Sequence, residues 1–263
     1  MFSSRNKTMT DVYTLIDRIK RGRELVVRDD QNTFEELLDA AREANPRKAR
    51  FSVLDTGKLG APELEWLAEA GAGIFTSDEA RPEAAELVLV AKACARGGGD
   101  VALLVNGPFG ARHGDLVRDG VILHVSNRER AVDLSALTEL AETAKAGGGF
   151  LVYYHHGALV EDLAGLAASG ARIHLSDKAL EDKDLDLVTS LLEASRAGGG
   201  ELILYIEKGM PLLFLRKLFD AGAVLFFKTP PSDRRSLMRG LERRAGKRRP
   251  APDSFYLQDA FLT

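Results

Sequence analysis

Hydrophobic and polar positions follow two periods along the chain. The runs VALLV (101–105), FLVYY (150–154) and LILYI (202–206) are apolar on both faces, as strands buried within a parallel sheet are. The stretches AAELVLVAKACA, LSALTELAETAKA and LDLVTSLLEASRA space their apolar residues three and four apart, which predicts helices with one buried stripe. Between them lie shorter units, PELEWLAEAGAGIFTSD, GDLVRDGVILHVSN, VEDLAGLAASGARIHLSD and LLFLRKLFDAGAVLFFKT, each a brief helix, a glycine turn and another strand.

The pattern repeats. Glycine triplets at Gly97, Gly98 and Gly99, at Gly147, Gly148 and Gly149, and at Gly198, Gly199 and Gly200 each follow a predicted long helix and precede a predicted strand, the place of a helix stop. The repeat is about 50 residues long: strand, loop, short helix, strand, loop, long helix. Gly22 matches Gly71, Gly120, Gly170 and Gly222, so half a repeat precedes the first full one. Helix starts fit Asn32 or Thr33, and Asp133 or Ser135, as caps. The expected organisation is an N-terminal segment (1–21), one repetitive β/α domain (22–246, as a half repeat 22–49 and repeats 50–99, 100–149, 150–200 and 201–246), and a basic, proline-containing linker with an aromatic tail (247–263).

Strands joined by helical crossovers make a parallel α/β sheet. Nine strand signals exceed the eight of a closed (β/α)8 barrel, which favours an open solenoid or horseshoe and leaves the TIM-type barrel as the alternative. The strands carrying His124 and Ser126, and Arg172, His174 and Ser176, alternate polar with apolar residues, the pattern of a concave solenoid surface or of a ring inside a barrel. The segment GARIHLSDKALEDKDLDLVTSLL resembles a leucine-rich repeat of the ribonuclease-inhibitor type. The position expected to hold asparagine reads Asp78, Asn127, Asp177 and Thr229 across the copies, however, and no family is assigned.

Composition adds exclusions. Lys and Arg number 36 against 39 Asp and Glu, a net charge of −3, so no global field draws the chain to nucleic acid or anionic lipid; eight basic residues between Arg234 and Arg249 form the one local exception. A single cysteine, Cys94, excludes an internal disulfide framework and a multi-cysteine metal site. No apolar run reaches membrane-spanning length, and a cytoplasmic location is expected.

Loops after the C-terminal ends of parallel strands share one rim, where chemistry concentrates. Candidates for acid–base work there are His155, His156, Glu207, Lys208 and Lys228, with Asp177 as a carboxylate partner. Asp78, Asn127 and Asp177 recur at one repeat position and are expected to cap the helices that follow. The segment NGPFGARHGD stands where other blocks have a short helix and reads as an irregular loop or a degenerate copy. No cofactor or metal is expected: the triplets follow helices instead of leading into them, and adjacent strand residues such as His155 and His156 face opposite ways. With no complete catalytic motif, the leading expectation is a non-catalytic repeat scaffold that binds a protein partner or a second copy of itself through Phe109, Tyr153, Tyr154, Phe255, Tyr256 and Phe261. The alternative is a barrel hydrolase or lyase acting at the rim on a small polar or phosphorylated substrate.

Overall fold

A computed structural model describes residues 12–21, 25–47, 49–180, 184–207, 210–227 and 244. Helices and strands alternate as α1 (Val12–Lys20), β1 (Leu25–Arg28), α2 (Phe34–Ala44), β2 (Phe51–Leu54), α3 (Ala61–Glu69), β3 (Gly73–Ser77), α4 (Ala84–Gly97), β4 (Val101–Val105), α5 (Ala111–Arg118), β5 (Ile122–Ser126), α6 (Leu134–Ala146), β6 (Leu151–Tyr154), α7 (Leu163–Ala168), β7 (Arg172–Ser176), α8 (Leu185–Gly198), β8 (Glu201–Ile206), α9 (Leu212–Asp220) and β9 (Val224–Phe227). The expected α/β sheet of repeated strand–helix units is present: nine parallel strands in chain order, open in that β1 and β9 stand at the two ends of the order. By contact density the chain divides into unit 1, residues 1–122, and unit 2, residues 123–263.

Each crossover helix buries one stripe. In α2 it is Leu37, Ala40, Ala41 and Ala44, and in α8 Val188, Leu191, Leu192 and Ser195, the three–four spacing of a single helical face. Strand β4 is buried at all five positions. Thr33 and Glu36 close a reciprocal capping box at the start of α2, and the Asp133 carboxylate accepts from the Ser135 and Ala136 amides ahead of α6. The NGPFGARHGD segment holds an ordinary short helix, α5, with Phe109 edge-on to the buried His113 at 5.7 Å. Cys94 is buried in α4, and burial pushes its thiol up to about 12, which leaves it inert at neutral pH. Among the described residues no helix is long and apolar enough to cross a membrane.

The glycine triplets end helices, and their members do different jobs. Gly199 takes φ +77° past the end of α8, where a Cβ would meet nothing within 4 Å. Gly198 keeps helical geometry but lies so close to α7 that a Cβ would fall 2.3 Å from the Ala168 carbonyl oxygen. The same closeness recurs at Gly97, against Ala68.

Asp78, Asn127 and Asp177 correct the capping expectation. They accept hydrogen bonds from the loop after the next strand in sequence, not from the helix that follows them. Asp78 takes the Asn106 amide at 3.1 Å and the Gly107 amide at 2.7 Å, Asn127 takes His156 at 2.6 Å, and Asp177 takes Glu207 at 2.7 Å. Asp29 does the same for Thr56 at 3.0 Å. Side-chain chemistry suited to a cap also suits this brace, since both are oxygen acceptors for free backbone amides.

Two substitutions separate the glycine roles. Gly198→Ala should cost at least about 3 kcal/mol, the upper end of overpacking penalties, while Gly199→Ala should cost about 1 kcal/mol for its left-handed backbone; urea denaturation of both variants reads the difference. Asp78→Ala, which strips the acceptor from two loop amides, should cost roughly 3 kcal/mol in the same measurement.

Candidate functional site

In unit 1 the strand C-terminal ends carry a closed polar network. Asp55 is buried, with Oδ1 accepting from the Gly57 amide (2.9 Å) and Arg81 Nη2 (3.0 Å), and Oδ2 from Thr76 Oγ1 (2.7 Å) and Arg81 Nε (2.8 Å). Arg81 also donates to the Leu59 carbonyl. The bonds to Asp55 raise the Arg81 guanidinium further above its already high value, against the opposing effect of burial. A bidentate pair with its other lone pairs taken has no capacity left for a substrate, so this network braces the unit.

Unit 2 differs. The hydrogen bonds of the braces make Thr56, Asn106, His156 and Glu207 equivalent residues, so Glu207 corresponds to His156, and one extra residue stands before Gly209. Glu207 follows β8, accepts from Ser176 Oγ at 2.9 Å through Oε1 and pairs with Lys178 Nζ at 2.7 Å through Oε2. Its side chain is 15% exposed and that of Lys178 68%. The carboxylate is therefore held through one oxygen by a hydroxyl and paired through the other with an exposed cation. His156 is half-buried, and its main chain is held from both sides: Asn127 Oδ1 accepts from its amide and Asn127 Nδ2 donates to its carbonyl at 3.0 Å.

The remaining expected site residues fall elsewhere. His155 is buried beside Tyr153, with Nε2 on the Ala158 carbonyl at 2.8 Å, and burial lowers its pKa. Asp177 is buried and serves as the brace. Tyr153 and Tyr154 are 2% and 1% exposed, so neither is the surface anchor expected of it, because both faces of β6 are covered. Phe109 is half-buried. Lys208, Lys228, Phe255, Tyr256 and Phe261 lie outside the described residues. Of the basic stretch only Arg244 is described, and it pairs with Asp220 at 3.1 Å. Among the described residues no three His, Cys, Asp or Glu side chains gather as a metal site.

Sequence reasoning missed Ser176, Lys178 and the tier beneath them. On the same face, His124 Nδ1 meets Tyr154 Oη at 3.0 Å and His174 Nδ1 meets Tyr205 Oη at 2.7 Å. The rings continue as Tyr154–His174 at 4.5 Å and Tyr205–Phe226 at 5.5 Å between centroids. All four His and Tyr side chains are at most 2% exposed. The alternating polar face is thus interior, not an open concave surface. Its signal in the sequence is the recurrence of His124–Tyr154 as His174–Tyr205, one repeat apart.

No family model matches the chain, and no curated protein matches it. Similar solved structures include citrate synthase SbnG (10% identity, TM-score 0.38, covering 89% of this chain and 96% of that one). D-psicose 3-epimerase in the presence of D-fructose is similar at 14% identity and TM-score 0.36, covering 73% and 89%. An HpcH/HpaI aldolase from Desulfitobacterium hafniense is similar at 12% identity and TM-score 0.37, covering 88% and 93%. These are named as enzymes, and the expectation of a non-catalytic solenoid scaffold is corrected on that finding. At such scores no residue role passes from them to this chain.

The buried imidazoles set a pH dependence. Burial, then the charge of Arg172, pushes His124 down to about 3, and burial, then His124 and Arg172, holds His174 well below its ordinary value. An unfolded histidine takes up its proton near pH 6.5 while the folded ones stay neutral, so the unfolded state binds more protons below that pH. Stability should be flat in these groups above about pH 6.5 and fall below it by up to about 1.4 kcal/mol per pH unit per histidine. His174→Phe, measured by denaturant titration between about pH 6.5 and 5, should flatten that slope.

Proposed function

We propose that the chain is an enzyme of the lyase or hydrolase kind that acts on a small polar or phosphorylated substrate at the strand C-terminal rim of unit 2. The observation that supports this is Glu207: a rim carboxylate oriented by Ser176 at 2.9 Å and paired with the ammonium of Lys178 at 2.7 Å, a side chain that is itself 68% exposed. Glu207 is the general base. Lys178 leaves it to meet negative charge that develops on the substrate, and His156, at the equivalent position one repeat earlier, is the second acid–base group. A positioned acid or base contributes about 10²–10⁴-fold to such a reaction. A reducing, cytoplasmic location fits a chain whose one cysteine is a buried thiol.

The test is turnover of small hydroxy acids, keto acids and sugar phosphates by the purified full chain, followed by variants. Glu207→Gln keeps the acceptor for Ser176 and should lower kcat by about 10²-fold or more with an unchanged melting temperature, while Lys178→Met should mainly raise KM. An unaltered kcat in Glu207→Gln, or no turnover across the panel, overturns the reading.

A further inference from the structure

Away from the rim, on one face of the unit 2 sheet, three side chains carry buried nitrogens that no hydrogen bond from a described residue satisfies. Nε2 of His124, Nε2 of His174 and Nη1 of Arg172 are buried without a hydrogen-bond partner. Their side chains rise from one face of the sheet. Arg172 and His174 are two apart on β7, and His124 on β5 is level with Arg172 through Val152 (His124↔Val152, Val152↔Arg172). A polar atom left unsatisfied in a core costs roughly 1–3 kcal/mol, and such atoms in native structures are normally met by water or a ligand. The repeat itself shows the apolar solution, since the positions equivalent to His124 and His174 are Phe75 and Phe226. Two repeats keep a polar ring where the outer two close the core with phenylalanine.

All three atoms can donate. Guanidinium nitrogens only donate. Each imidazole meets a tyrosine hydroxyl at Nδ1; where the phenol donates to Nδ1, the ring proton of the neutral imidazole is on Nε2, and that is the tautomer of the site proposed below. One formal positive charge accompanies these donors. Arg172 shares it with Glu201, an ion pair of 2.6 Å at Nε that lacks hydrogen-bond geometry, and lies 4.2 Å over the Phe150 ring, so Nη1 remains without any polar partner. Arg172 also lines a cleft of about 320 Å³ with Lys145, Phe150, Glu201 and the Gly198–Gly200 triplet, at the strand ends opposite the rim. Lys145 is engaged there by the Gly198 carbonyl at 2.7 Å. A cation is repelled by Arg172, and a single water offers two acceptor lone pairs to three donors.

We propose that Arg172, His124 and His174 form an internal site for a small oxyanion, a carboxylate or phosphate group, reached from the cleft at the N-terminal ends of β6–β8. Such a group presents several lone pairs to the three N–H donors and a charge to the guanidinium. The site is independent of Glu207.

Melting of the full chain, followed by circular dichroism, is compared in inorganic phosphate, in sodium acetate and in sodium chloride at equal ionic strength, with ¹⁵N NMR of the imidazoles as a second readout. Phosphate or acetate should raise the melting temperature beyond chloride and shift both Nε2 resonances; a response to phosphate alone marks a phosphate group, and one to acetate alone a carboxylate. His124→Phe and His174→Phe adopt the repeat's own alternative and should weaken the apparent affinity at least tenfold. Arg172→Met serves if either fails to fold, and Glu207→Gln should keep the full response. Equal melting in all three salts, or an undiminished response in the histidine variants, overturns the site and leaves the rim reading intact.

Discussion

A parallel strand hands its chain to a crossover, and the first amides past the strand lose the ladder that satisfied those within it. Here the oxygen of an Asp or Asn, at the end of the preceding strand in sequence, accepts them. The exchange occurs at Asp29, Asp78, Asn127 and Asp177. Each such bond to a charged acceptor contributes about 1.5–3 kcal/mol, and each sets the height and direction of the loop it holds. The position of Glu207 depends on this brace: Asp177 holds its amide, and only then can Ser176 reach its carboxylate. Asn127 adds a second bond to the His156 carbonyl, which an aspartate could not donate.

The two units use polar groups differently on this common frame. Unit 1 spends its buried carboxylate Asp55 on an arginine, a threonine and a loop amide, a self-contained network that stiffens the strand ends. Unit 2 leaves one carboxylate oxygen beside an exposed lysine and lines the sheet below with His–Tyr pairs. Buried imidazoles kept neutral are costly in acid and provide no packing that phenylalanine could not, as Phe75 and Phe226 demonstrate at the same position. The departure from internal symmetry therefore concentrates in the middle repeats of the chain.

Much of the frame was legible from local pattern. The apolar runs became strands, the three–four periods became helices, Thr33 and Asp133 became caps, and the triplets became helix ends. The site was legible only in part. Glu207 and His156 were candidates, yet their equivalence shows only in the braces, because a residue inserted after β8 displaces the spacing to the following glycine. Asp78, Asn127 and Asp177 looked like caps because cap and brace demand the same acceptor chemistry. Tyr153 and Tyr154 looked like surface anchors because an apolar run does not reveal what covers its two faces.

The sequence by itself determined the alternation of strand and helix, the parallel direction and the repeat, since each follows from the periodicity of neighbouring residues and from the short reach of a crossover. Only the tertiary structure decided which polar residues brace loops and which meet an exposed partner at the rim. The partners lie about thirty residues apart along the chain, as with Ser176 and Glu207 or His174 and Tyr205, and no local pattern states which loop a given side chain will meet. Hydrogen bonds are directional and short, so a role for Glu207 exists only once packing has brought Ser176 and Lys178 within 3 Å of its oxygens.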